Sequence, residues 1–284
     1  MTERLPVFGV RARTRLFSAT TYLLLAACTL LFLVPIFWMV STSLKTTDRV
    51  FDLPIEWIPT SPQFNNYPDS LGKYDFPRFF LNSGIVSGTV TAVHVLLASW
   101  AGYGLAKYRF GGRQLLFWAI LVTLILPLEV VMIPLWLTIK TLGWEDSYPG
   151  LIVPVIADAF GVLLMRQYFL NLPSELIDAA RIDGAGHLRT FFTIAVPNAW
   201  PAIVTLAIFM FQATWDEFVW PFLIVSSSQM KTVPLGVQAF QSGELSNFPA
   251  VMAVSTVATL PLATLFLVFQ RYWIRGVATS GIRG

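Results

Sequence analysis

The sequence predicts an all-α membrane protein, with six transmembrane helices and a short helix in one of the loops between them. Three observations carry this. Of the 284 residues, 55% are hydrophobic and only 12% are charged, whereas a soluble domain carries about 25% charged residues. Six apolar runs are each long enough to cross roughly 30 Å of hydrocarbon as a helix. The basic residues between those runs are unevenly shared between alternate loops. Helices are required because lipid cannot satisfy open backbone groups, and a barrel would show short alternating segments instead.

The first run, Phe17–Thr42, follows a segment, residues 1–16, that contains Arg4, Arg11, Arg13 and Arg15. A secretory signal has the same order of charge and apolar residues, but its apolar core is about 7–15 residues. Here the apolar stretch extends from Leu16 to Leu44, so it reads as a retained anchor. The single cysteine, Cys28, lies inside it. It has no partner for an internal disulfide and no metal-ligand spacing, and reads as a small buried apolar residue.

The second run, Asn82–Ala106, contains Gly84, Gly88, Gly102 and Gly104 with Ser83, Ser87 and Ser99. Small residues of this kind let helix backbones approach closely. The remaining runs are Gln114–Ile139, Gly150–Leu170, Pro201–Val225 and Pro249–Tyr272. Pro35, Pro127, Pro134, Pro154 and Pro261 fall within the runs. In a membrane bundle neighbouring groups can satisfy the carbonyls that proline frees, so these read as kinks. Residues 17–272 thus form one transmembrane domain, followed by a tail, 273–284.

Basic residues set the orientation. With the N-terminus in the cytoplasm, 13 of the 19 Lys and Arg residues fall inside, among them those of the turn AKYRFGGR after the second run. Both termini are then cytoplasmic. Two outer loops are substantial: Lys45–Leu81, with Pro59, Pro62 and Pro68, and Ser226–Phe248, with Gly236 and Gly243. The latter reads as a solvated connector or as a surface for a partner. The longest inner loop connects the fourth and fifth runs.

That inner loop, residues 171–197, is the most informative segment. Ser174 follows Pro173 as a candidate N-cap. Glu175 and Asp178 lie in the first turns, where the helix dipole favours negative charge. Gly184 stops the helix at about nine residues. Leu176, Ile177, Ala179 and Ala180 fall on one side, with Glu175, Asp178 and Arg181 on another. Asp178 and Arg181 are placed to pair at i,i+3. A second short helix, His187–Ala195, leads to Pro197. An isolated helix of this length is marginal in water, so it needs a docking surface, on its own membrane domain or on another subunit.

These residues carry a family resemblance. The pattern E-A-A, three residues, G, then I-x-L-P marks the permease subunits of binding-protein-dependent ABC importers. Here it reads Asp178-Ala179-Ala180, Gly184 and Ile194-Ala195-Val196-Pro197, with Asp in place of Glu and Val in place of Leu. The string LPSEL-DAARIDGA resembles the carbohydrate-importing, MalG-like branch. So do TWDEFVWPFLI in the fifth run, TVPLGVQAF in the last outer loop, LPLATLFLVFQRYWIRG in the sixth run and NNY in the first outer loop. The resemblance implies the permease fold of type I ABC importers. It implies a coupling element formed by Glu175, Asp178, Ala179, Ala180, Asp183 and Gly184, which docks on an ATPase subunit. It also implies a second permease subunit, an ATPase dimer that binds ATP and Mg, an extracytoplasmic solute-binding protein and a carbohydrate solute. It implies the bacterial or archaeal cytoplasmic (inner) membrane as the location, and no cofactor bound by this chain itself. The shorter Asp178 changes the reach of the carboxylate toward any polar partner on the ATPase. The tail ATSGIRG resembles the family's cytoplasmic terminus near the ATPase dimer.

Ionisable residues inside membrane segments are functional candidates by default. Asp216 and Glu217 lie about 15 residues into the fifth run, roughly 22 Å along a helix. Glu129 reaches a similar depth in the third, and Asp158 is nearer the middle of the fourth. They read as bundle-facing or vestibule groups, as a proton relay, or as the lining of a solute pathway. In the last case carboxylates would accept hydroxyl hydrogen bonds while Trp215 and Trp220 stack on sugar faces. His94 reads as a packed polar residue, and His187 as a group on the loop facing solvent. No metal motif, no GxxxxGK[ST] phosphate loop and no nucleophile–base set is present, so no enzyme activity is expected of this chain. No basic cluster with interleaved aromatics suggests nucleic acid. Two other classes stay open from the residues alone: a self-sufficient ion-coupled secondary transporter using the intramembrane carboxylates, and a membrane assembly protein. The absence of an internal repeat weighs against the former.

Overall fold

The computed structural model describes the backbone of residues 8–244 and 247–281 and the side chains of residues 17–244 and 247–270. Arg4 and Arg283 lie outside the described residues. Among the described residues every regular element is helical. The helices are α1 (Phe8–Ser43), α2 (Asn66–Lys73), α3 (Phe76–Lys107), α4 (Arg113–Thr123), α5 (Leu128–Thr141), α6 (Tyr148–Ile152), α7 (Ala159–Leu170) and α8 (Ser174–Ile182). They continue as α9 (His187–Thr190), α10 (Val196–Asn198), α11 (Trp200–Trp215), α12 (Val219–Ile224), α13 (Val233–Gly243) and α14 (Phe248–Gly281). The chain divides into two compact units, Met1–Ser70 with Glu244–Val257 and Leu71–Gly243 with Ala258–Gly284.

In the first unit, α1 turns nearly all of its side chains from Phe17 to Phe37 outward. Cys28 is exposed with them, which corrects its reading as a buried residue. An apolar helix can remain so in lipid because the surrounding solvent is itself apolar. The end of α1 is fastened by the Asn-Asn-Tyr motif of the following loop. The Asn66 side chain donates to the carbonyls of Ser43 and Lys45 at 2.8 and 2.9 Å. The Ser43 carbonyl is among the last of the helix, which have no partner within it, and the Lys45 carbonyl lies just beyond the helix end. The Tyr67 hydroxyl meets Ser43 Oγ at 2.7 Å. Lys45 is almost fully buried, and its ammonium lies 4.2 Å from the centre of the Trp38 ring.

In the second unit α3 is the central element, packed against α7 and α11. Glycine allows part of this packing. A Cβ on Gly102 would lie 2.7 Å from the Arg166 backbone nitrogen and 2.8 Å from Met165 Cβ. A core of Ala98, Tyr103, Met165, Phe169, Phe191 and Leu206 fills one end of these helices. A second core, with Val90, Leu151, Trp220 and Ile224, fills the other.

Among the described residues only α1, α3 and α14 are long, apolar and unbroken. The third, fourth and fifth predicted spans are each interrupted. Between α4 and α5 the direction changes by 96°, at Pro127, and between the α6 segment and α7 by 46°. The fifth run stops at Trp215 and resumes at Val219. Counting as one span each of these two bent pairs, and also His187–Asn198 with Trp200–Trp215, gives up to six spans. The kink expected at Pro127 is therefore a full break. Proline there supplies no N–H and disfavours helical backbone in the residue before it. Helix α14 extends to Gly281, beyond the sixth predicted run. One further expectation is corrected. The loop Ser226–Phe248 is no solvated connector, because α13 buries Val233, Leu235 and Phe240. Gly236 sits against the Phe79 ring of α3, and Val233 N–H donates to Ser83 Oγ at 2.8 Å.

Candidate functional site: the 171–197 loop and the helix breaks

After α7 ends at Leu170, Pro173 precedes the nine-residue α8. Ser174 is the first residue of the helix and not its cap, and no side chain caps this end. Proline has already set the backbone turn, so serine falls one position too late. The other end is as expected. Gly184 adopts φ +78°, its N–H donates to the Arg181 carbonyl at 3.0 Å, and the Ala185 N–H donates to the Ala180 carbonyl at 2.9 Å. This pair of bonds is the Schellman arrangement, which satisfies carbonyls the helix leaves open.

The apolar side of α8 is split. Ile177 and Ala180 are buried, with Ile177 in the aromatic core of Tyr103, Phe169 and Phe191. Burying a side chain of this size stabilises by about 1.5–3 kcal/mol, enough to hold a helix that is marginal alone. Leu176 and Ala179 are exposed, Ile182 is 87% exposed, and Leu188 on α9 is exposed too. Glu175, Asp178, Asp183 and Gly184 share the exposed surface. Arg181 Nη1 donates to Asp178 Oδ1 at 3.2 Å. Lys107 donates to the Leu172 carbonyl at 2.5 Å and lies near enough to Glu175 for the charges to attract.

The second helix of the loop is composite. After α9 the turns widen to a π-helix over Phe191–Ala195 before α10. The chain then bends by 79° into α11. The His187 ring meets the Tyr108 hydroxyl at 2.9 Å. The loop is therefore bound to the end of α3 at Tyr108 and Lys107, while its outer edge stays open. Neither Tyr108 nor Lys107 carried a sequence motif, and only their place in the basic turn after the second run marked them.

The candidate pathway residues fall at the helix breaks. Trp215 closes α11 and is buried. Its indole N–H donates to the Ala258 carbonyl at 3.3 Å, and its ring stacks on Phe211 at 5.6 Å. Trp220 is 1% exposed and donates to the Gly150 carbonyl at 3.1 Å. Glu217 Oε1 accepts from the Trp220 backbone N–H at 3.0 Å, helping to start α12. Asp216 is exposed beside it, and Glu129 is exposed in the first turn of α5. The structure thus gathers Trp215, Asp216, Glu217 and Trp220 at one interruption, with both indole rings turned into the chain's own core.

His94 occupies the break between α6 and α7. It is 1% exposed, and its Nδ1 donates to the Ile156 carbonyl at 3.2 Å. A carbonyl can only accept, which fixes the proton on Nδ1. Asp158 starts α7, accepting from the Gly161 N–H at 2.8 Å, and stands 3.6 Å from His94 Nε2. A Cβ on Gly161 would collide with the imidazole. Among the described residues no group of His, Cys, Asp and Glu could hold a metal ion. The arrangement leaves an exposed apolar and acidic edge on a short helix and breaks in three spans.

Residues 94–279 match the sequence model of a family described as binding-protein-dependent transport system inner membrane component. The chain is 35% identical over 258 residues to the arabinooligosaccharides transport system permease protein AraQ of Bacillus subtilis, covering 90% of this chain and 92% of that protein. It is 34% identical over 260 residues to the sn-glycerol-3-phosphate transport system permease protein UgpE of Yersinia enterocolitica, covering 88% and 92%. The fold is similar to a chain in the crystal structure of a bacterial ABC transporter involved in the import of the acidic polysaccharide alginate. That match has a TM-score of 0.79 at 23% identity, over 95% of this chain and 99% of the other.

Proposed function

This chain belongs to the family of binding-protein-dependent transport system inner membrane components, and on that premise we propose that it is one of two permease subunits of an ATP-driven importer for a carbohydrate or related polyol. The relatives with oligosaccharide and glycerol phosphate names support that solute class. In this reading the second permease completes the pathway, and a solute-binding protein delivers the solute from outside. A dimer of separate ATPase subunits binds and hydrolyses ATP with Mg. Both termini and the 171–197 loop face the cytoplasm, in keeping with the excess of Lys and Arg on that side. Residues 1–16 and 273–284 flank the transmembrane domain of residues 17–272.

The observation that carries the proposal is the divided surface of α8. Ile177 and Ala180 anchor it to the core, while Leu176, Ile182 and Leu188 remain uncovered beside Glu175, Asp178 and Asp183. The anchored side transmits movement to α3 and α7, and the uncovered side receives it from the ATPase. Glu175, Asp178, Ala179, Ala180, Asp183 and Gly184 form the coupling element. At the other end, Asp216, Glu217 and Glu129 serve the pathway as hydroxyl acceptors, with Trp215 and Trp220 fixing the break that presents them. The test is purification of the chain, co-expressed with its partner permease and ATPase, through a tag on this chain. Wild type should retain the ATPase, and the Ile182→Glu, Leu188→Glu double variant should lose most of it while retaining the partner permease. Undiminished ATPase recovery in the double variant would refute the docking role.

A further inference from the structure

The cytoplasmic end of α4 carries two guanidinium groups that the coupling mechanism does not use. Arg113 opens α4, and Arg166 reaches it from α7. The Arg166 guanidinium lies 3.9 Å from the centre of the Phe117 ring, one turn into α4. It is near enough to Arg113 for the two like charges to act on each other. Arg113 Nη1 donates to the Tyr108 carbonyl at 3.1 Å, whereas Arg166 Nε is buried without a hydrogen-bond partner. Among the described residues no carboxylate forms an ion pair with either group. Two unneutralised guanidiniums held together need an anion, and a planar fork suits a phosphate oxygen pair.

The surroundings indicate which anion. Leu115, Leu116 and Trp118 are exposed around α4 in the turns that follow Arg113, so the helix that starts at the charged end runs on with apolar side chains open to hydrocarbon. Gly112, with φ +79°, starts α4 without a side-chain cap; the Arg113 N–H donates to the Phe110 carbonyl, and the next amides of the first turn have no partner within the helix. We infer that Arg113 and Arg166 form a binding site for the phosphodiester headgroup of an anionic phospholipid, whose acyl chains run beside α4. Such a lipid would hold α4 against α7 where the third and fourth spans meet the membrane surface. The inference rests on the membrane placement of the chain and on neither its solute nor its ATPase.

The test uses the full chain with its co-expressed partner subunits in nanodiscs of phosphatidylcholine containing about one tenth phosphatidylglycerol. Lipid kept through a delipidating wash is read by native mass spectrometry. The wild type should retain phosphatidylglycerol well above its share of the bilayer. Arg113→Gln and Arg166→Gln should each lower that enrichment about fivefold, with millimolar inorganic phosphate having no effect. A phosphatidylglycerol with a photoreactive headgroup should label the wild type within residues 109–118 and 160–170, which needs no variant to fold. Unchanged enrichment in the double variant, labelling confined to other segments, or displacement by inorganic phosphate would overturn the site. So would loss of a co-purifying subunit with lipid enrichment intact, since the arginines would then serve a protein contact.

Discussion

Gly184 is the residue on which the end of α8 depends. At φ +78° nothing lies within 4 Å of a Cβ placed there, so space is not what excludes a side chain. The backbone conformation is, because a left-handed residue with a Cβ costs roughly 1–2 kcal/mol. Gly184→Ala should therefore leave the membrane helices assembled but loosen the turn after α8, lowering solute-stimulated ATP hydrolysis several-fold. Gly184→Pro, which cannot reach positive φ, should abolish it. Assayed in reconstituted vesicles, wild-type stimulation in Gly184→Pro would show that the turn has no part in coupling. This residue was legible in advance, since glycine after an amphipathic helical run has one common explanation. Ser174 was misread as a cap because a neighbouring proline had already taken that place. Cys28 was misread because the usual link between apolar character and burial fails for a helix bathed in lipid.

At the scale of elements, the breaks are where sequence and structure part. Composition identifies an apolar run but not its continuity. Pro35 and Pro261 sit inside continuous helices, while Pro127 precedes a turn of 96°. What decides is whether other groups take up the freed backbone, and those groups are distant in sequence. The break before α7 shows this, because its Ile156 carbonyl is satisfied by His94 from α3, 62 residues away. Likewise the Asn-Asn-Tyr motif was visible as a resemblance, but its work on the end of α1 was not. His94→Leu should leave Ile156 without its donor, a loss of about 1–3 kcal/mol. The expected result is a thermal unfolding midpoint several degrees lower in the purified complex, followed by intrinsic tryptophan fluorescence. A partial recovery is expected in His94→Gln. An unchanged midpoint in His94→Leu would mean that the break is held by packing alone.

For the whole molecule, the exposed edge of α8 is central, since in the proposed function it is what joins this permease to the ATPase subunits. The spans were countable from the sequence, and the loop helix was placed to within a residue. The division of its apolar residues into Ile177 with Ala180 inward and Leu176 outward was not, because these three fall in one helical stripe, with Ile182 outward on the other side. The measurement that bears most directly on this edge is site-specific photo-crosslinking in intact cells that express the complete transporter. A photoreactive amino acid replaces Ile182 in one variant and Ile177 in another. The account predicts that position 182 yields an adduct with an ATPase subunit and that position 177, buried in the permease core, does not. An ATPase adduct absent from position 182, or equally strong at 177, would contradict it.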